Sequence, residues 1–88
     1  MKIELYTAAW CPPCKVIKKS GMLDKFKEKH PDIEVESIDV DSEDGSLRAQ
    51  KLGIKSIPTF VFYKGDKITK ASGLITLEAL EKFVNANN

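Results

Sequence analysis

The chain has 88 residues, 42% of them apolar and 31% charged, with a formal net charge of +1. That is enough apolar material for one modest core and too much for a disordered chain, so a single small globular domain over residues 1–88 is expected. A near-neutral balance gives no overall drive toward nucleic acid or acidic lipid, and no apolar run approaches membrane-spanning length, so neither is expected as a partner.

Lys2 to Thr7 alternates charged with β-branched, aromatic and aliphatic residues and predicts a short strand. It runs into Trp10-Cys11-Pro12-Pro13-Cys14, which holds both cysteines of the chain. Pro12 and Pro13 suit the first two positions of a helix, where an amide hydrogen has no intrahelical acceptor, so Cys11 becomes the N-cap and Cys14 lies in the first turn. The helix dipole, the Cys14 amide and Lys15, Lys18 and Lys19 all favour a Cys11 thiolate. A pKa lowered from ~8.5 into the range of roughly 3.5–7.5 is expected, with Cys14 the less exposed and less acidic thiol. Val16, Ile17, Met22, Leu23 and Phe26 form the predicted buried stripe of a helix running toward His30 and stopped by Pro31. Ser20-Gly21 should kink it or divide it in two.

Ile33 to Val40 predicts a second strand, parallel to the first because a helix intervenes. Asp41, Ser42, Glu43 and Asp44 open the next helix, Leu47, Ala49 and Leu52 supply its apolar side, and Gly53 closes it. Pro58 to Tyr63 is the most apolar strand and should be central, followed by a turn at Lys64-Gly65-Asp66 into an antiparallel strand over Lys67 to Ala71. Thr76 caps a last helix with Leu77, Leu80, Phe83 and Val84 on one face, expected to fray from Asn85 onward. The order is βαβαββα, which predicts a four-stranded mixed sheet, 2-1-3-4, with helices on both faces and the cysteines at the carboxyl end of the first strand, the edge that open α/β sheets use for chemistry.

Two cysteines separated by two residues allow a redox couple, a half zinc site or an inert thiol pair. Structural zinc needs four ligands, and beyond the cysteines the chain offers only His30, past a long helix, so no metal is expected. With no hydrophobic signal region at Met1-Lys2-Ile3-Glu4, the chain as given is expected in the cytosol, where a merely structural disulfide would be reduced. Redox catalysis is left, with no cofactor beyond the Cys11–Cys14 couple. The acids at 39–43 lack the glycine and glutamate of a calcium loop, since Asp44 and Gln50 stand at those places. Lysines crowd positions 15–29 and acids positions 32–44, as solvated faces or as a steering field for a partner. His30 is expected exposed at a helix end.

Trp10 to Lys15, together with Gly53-Ile54-Lys55-Ser56-Ile57-Pro58-Thr59 some forty residues on, resembles the two landmark motifs of the thioredoxin superfamily, and with the element order the likeness covers nearly the whole chain. The resemblance implies the thioredoxin-like fold and a protein-disulfide reductase, a monomer acting on protein disulfides with a reductase of the thioredoxin-reductase type as donor. Cys11 would attack and Cys14 resolve the mixed disulfide. Trp10, Pro12, Pro13, Ile57, Pro58, Thr59 and Gly73 would line the substrate groove. For Trp10 a core position, and for Gly73 a simple strand-end turn, are the alternatives. The resemblance also implies a cis Ile57-Pro58 bond beside Cys11. A glutaredoxin-like, glutathione-dependent reductase is the second reading, favoured by Tyr6-Thr7 and Cys-Pro-x-Cys. Pro13 in place of a tyrosine, and Gly73-Leu74 in place of Gly-Gly, count against it. A binding subunit with incidental thiols is the third. The sequence departs from the superfamily where a buried aspartate and lysine would sit beneath the second cysteine: Leu5 and Ser37 occupy those places. Glu4, facing the other way by strand alternation, should be a poor substitute.

Overall fold

The computed structural model describes residues 1–88. Its elements are β1 (Lys2–Thr7), α1 (Pro12–Ser20), α2 (Met22–Lys29), β2 (Glu34–Asp39), α3 (Glu43–Leu52), β3 (Thr59–Lys64), β4 (Lys67–Ser72) and α4 (Leu77–Asn87). The sheet order is β2-β1-β3-β4, with β1 and β2 parallel and the other pairs antiparallel. No helix is long and apolar enough to cross a membrane.

Strand alternation divides the interior into two layers. Ile3 and Leu5 of β1 and Phe60 and Phe62 of β3 face Ile17, Met22, Phe26, Leu80 and Val84 from α1, α2 and α4. Tyr6, Ile38 and Val61, on the other face, meet Ala49 of α3. Helices therefore cover both faces, as the element order required.

The first predicted helix is two. Gly21 takes φ 69°, a left-handed conformation that a side chain would resist, and serves as both the end of α1 and the start of α2. That break re-phases the buried stripe to Cys14, Ile17, Met22 and Phe26 and leaves Val16 49% exposed, contrary to the expectation from periodicity. Leu47, expected inside, is likewise 52% exposed. α3 instead buries Gly45, which has no side chain, and Ala49, which has only a methyl, so the helix can lie close to the sheet. His30 is half-buried rather than exposed: its ring stacks on Phe26 with centroids 4.5 Å apart, and Nε2 lies 3.0 Å from Glu81 Oε2. α4 continues to Asn87, past the expected fraying point, with Asn87 Nδ2 donating to the Phe83 carbonyl at 2.8 Å.

Gly45 is required by proximity, not by its dihedral angles. A Cβ placed there would lie 1.9 Å from the Asp39 carbonyl oxygen and 2.7 Å from Ser42 Oγ. Those two atoms are themselves hydrogen-bonded at 2.6 Å, and Gly45 N–H donates to Ser42 Oγ at 2.9 Å. Alanine gains about 1 kcal/mol over glycine in helix propensity, while forcing a methyl into packed backbone costs about 1–3 kcal/mol or more. Gly45→Ala is therefore expected to lower the denaturant midpoint despite its better propensity; an unchanged or higher midpoint would show that the α3 N-terminus can shift freely.

Candidate active site

β1 ends at Thr7, and the chain turns so that Cys11 N–H donates to the Ala8 carbonyl at 3.3 Å. Cys11 is the N-cap of α1 in extended geometry, with Pro12 and Pro13 at the first two helical positions, as the sequence required. The prolines delete two of the donors that a helix start normally presents. Lys15 N–H bonds the Cys11 carbonyl at 3.1 Å, and the Cys14 N–H is left to approach the Cys11 sulfur.

The two thiols are unbridged and lie together with Ala8 in a small buried cluster, with Val40 and Ile57 packed against it. Their exposures are 3% for Cys11 and 4% for Cys14, so the expected difference in accessibility is absent. The expected acidification is also reversed. Burial pushes the Cys11 thiol above its ordinary value, the neighbouring Cys14 thiol adds to that, and the Cys14 N–H only partly opposes it. The lysines of α1 are exposed, where water screens them, and do not outweigh desolvation.

The Ile57-Pro58 bond is cis and sets the Ile57 carbonyl oxygen 3.9 Å from Cys11 Sγ. Pro58 is buried and Ile57 half-buried, and the Pro58 carbonyl accepts from Gly73 N–H at 3.1 Å. Gly73 takes φ 75° with open space around it. Trp10 is 62% exposed, which removes the core alternative. Its indole N–H donates to Asp41 Oδ2 at 2.8 Å, so the loop after β2 holds the ring at the edge of the cysteine turn. Pro12 and Pro13 are exposed beside it. Thr59 differs from the others: it is buried, and its hydroxyl donates to the Ser56 carbonyl at 2.6 Å and meets Ser72 Oγ at 3.1 Å. It braces the Pro58 loop.

Below Cys14, a cavity of about 470 Å³ opens between α1 and β2, with Leu5 and Ile17 in its apolar wall. Leu5 pairs with Ser37 in the β1·β2 register, so neither an acid nor a base lies directly beneath the thiol. Glu4 is on the other face. It is buried and accepts from Tyr6 OH at 3.0 Å and Tyr63 OH at 2.7 Å, and it pairs with Arg48 and, at 3.6 Å, with Lys2. No three His, Cys, Asp or Glu side chains converge in a way that could hold a metal ion.

Sequence reasoning missed Asp41 as the anchor of Trp10 and Arg48 as the partner of Glu4. For Glu4 a signal was present, since a carboxylate in the middle of an apolar strand needs a cation, and the chain has a single arginine.

The thioredoxin family model matches residues 3–86. Among relatives, thioredoxin-2 of Saccharomyces cerevisiae is 42% identical over 69 residues, covering 77% of this chain and 62% of that one. The mitochondrial thioredoxin O2 of Arabidopsis thaliana is 37% identical over 60 residues, covering 68% of this chain and 36% of that one. The chain thus spans less than two thirds of the length of these curated relatives. Among solved structures, mitochondrial thioredoxin 3 of Saccharomyces cerevisiae in its oxidized form superposes with a TM-score of 0.82 at 29% identity, over 97% of this chain and 76% of that one.

Proposed function

The chain belongs to the thioredoxin family, and from that premise we propose that it is a thiol–disulfide oxidoreductase reducing protein disulfides through Cys11 and Cys14. The observation that carries this reading is the buried thiol pair at the N-terminus of α1, faced by the carbonyl of a cis-proline loop. An extended substrate could pair with the Ile57 backbone, its disulfide brought to Cys11 with Trp10 on one side and Gly73 open on the other. Cys11 thiolate attacks one substrate sulfur, a mixed disulfide forms, and Cys14 then attacks Cys11 Sγ. The Cys11–Cys14 bond closes and the substrate leaves with both its thiols reduced. The electrons are carried by the protein's own dithiol, so the reaction calls for no cofactor.

A thioredoxin-reductase-type flavoprotein is the proposed donor, a reducing compartment such as the cytosol the proposed location, and a monomer the proposed acting form. Glutathione is the alternative donor. The test is reduction of insulin, followed by precipitation of its B chain, with either donor in turn. Turnover with the reductase and little with glutathione is expected. Turnover with glutathione alone would make the protein glutaredoxin-like, and none with either would favour a binding subunit.

A further inference from the structure

Cys14 can attack only as a thiolate, yet it is 4% exposed, and Leu5 below it is apolar. The cavity of about 470 Å³ that reaches its thiol has one carboxylate in its wall, Asp39 at the end of β2, with the hydroxyls of Thr7 and Ser37 nearby. Such a volume holds several waters at about 30 Å³ each, and hydroxyl and carboxylate groups are the partners that order them. Asp39 Oδ1 accepts the Asp41 N–H at 2.9 Å, and the structure gives its other carboxylate oxygen no protein partner.

We propose that Asp39 is the proton acceptor for Cys14, acting through water in this cavity. This rests on the reading of Cys14 as the resolving thiol. The Cys14 proton passes by way of water to the Asp39 carboxylate while the Cys14 sulfur attacks Cys11 Sγ. The bond between Cys11 and the substrate sulfur breaks, its electron pair leaves on the substrate thiolate, and the Cys11–Cys14 bond forms. The proton on Asp39 then returns to solvent. The protein dithiol is oxidised and the substrate disulfide reduced by the same two electrons. Lys15 and Lys18 of α1 also line the cavity and Cys11 lies beside the thiol; β1 and α2 contribute no charged side chain to its wall. Asp41, the next acid along, is engaged by Trp10.

The experiment mixes the reduced protein with an aromatic disulfide whose released thiolate is coloured, so that the first equivalent reports attack by Cys11 and the second reports resolution by Cys14. Trapping of the first stage by Cys14→Ser establishes the resolving role separately. If Cys14→Ser still releases the second equivalent, the reading of Cys14 fails, and the proposal with it. With that role in place, Asp39→Asn should slow the second phase at least tenfold near neutral pH while leaving the first within about twofold. Its second phase should rise about tenfold per pH unit, as expected when only hydroxide generates the thiolate, against a shallower wild-type slope. Asp39→Glu should restore the shallow slope. The asparagine keeps an oxygen for the Asp41 N–H, so a purely structural role would leave the slopes alike. A second phase of equal rate and slope in wild type and Asp39→Asn overturns the proposal. So does a wild-type slope of tenfold per pH unit, which needs no variant to be measured.

Discussion

Cys14→Ser is expected to accumulate covalent complexes with substrate proteins, and Cys11→Ser to accumulate none. In the first variant the attacking thiol is intact and the resolving thiol is gone, so the reaction stops at the mixed disulfide. In the second the only remaining thiol lies inside the first turn of α1, and insulin reduction should fall to the level seen without protein. The carbonyl of Ile57 faces Cys11, not Cys14, which is why the roles are assigned in this direction. The pH dependence follows from burial. Because burial raises the Cys11 pKa, the thiolate is the minor form at neutral pH, and the initial attack should climb about tenfold per pH unit as pH rises toward that pKa. Equal capture by the two variants would contradict the assignment, and an attack rate already level below neutral pH would contradict the raised pKa.

The second large effect is on stability, and it lies on the other face of the sheet. Arg48→Ala should destabilise the protein by about 3 kcal/mol, the lower end of the 3–5 kcal/mol typical of breaking a buried ion pair. Glu4 is 3% exposed, and without Arg48 its charge keeps only two phenol donors and the longer contact to Lys2. The partial exposure of Arg48 and the surviving donors set the figure at the low end. The double variant Glu4→Gln with Arg48→Met should lose less than Arg48→Ala alone, because no orphaned charge remains. Urea titrations decide it, and a loss below about 0.5 kcal/mol for Arg48→Ala would mean that the cluster carries little stability.

The same cluster makes the fold sensitive to alkali. Burial, and then the hydrogen bond to Glu4, push Tyr6 and Tyr63 above the ordinary 10.0. The hydrogen bond to Glu36 raises Lys2 from 10.5. A group raised in the folded state contributes fully below its unfolded pKa and loses that contribution as pH climbs through the folded value. The buried Cys11 thiol, raised from 9.0, obeys the same rule, so melting temperature should begin to fall near pH 9 and fall more steeply above about pH 10.

What could be read from the chain was whatever is decided locally or by period. Pro12 and Pro13 after a strand determine where α1 starts, Ser42 and Thr76 cap α3 and α4 with bonds to Gly45 and Ala79 as their residue types demand, and the alternation of β1 and β3 sorts the two layers. Leu5 standing where an acid might have been was also visible, because strand register is a matter of counting. Tertiary approach decided what was not visible. Cys11 loses its expected acidity to burial first, and Val40 and Ile57, 29 and 46 residues away, are packed against it. Glu4 finds Arg48 across 44 residues. Leu47 is left outside, while α3 buries Gly45 and Ala49. Each of these depends on distances that no window of sequence contains.

The central claim is that the Cys11–Cys14 couple is a reductant, and its redox potential tests that most directly. Two proline rings stiffen the span between the sulfurs and so lower the entropy lost on closing the disulfide. They also remove two amide donors, and burial disfavours the thiolate more than the Cys14 N–H favours it, so the reduced form gains little of the stabilisation that makes a strong oxidant. Equilibration against glutathione or dithiothreitol buffers should place the couple near ~-270 mV; a value above roughly -180 mV, in the range of isomerases and oxidants, would contradict the account.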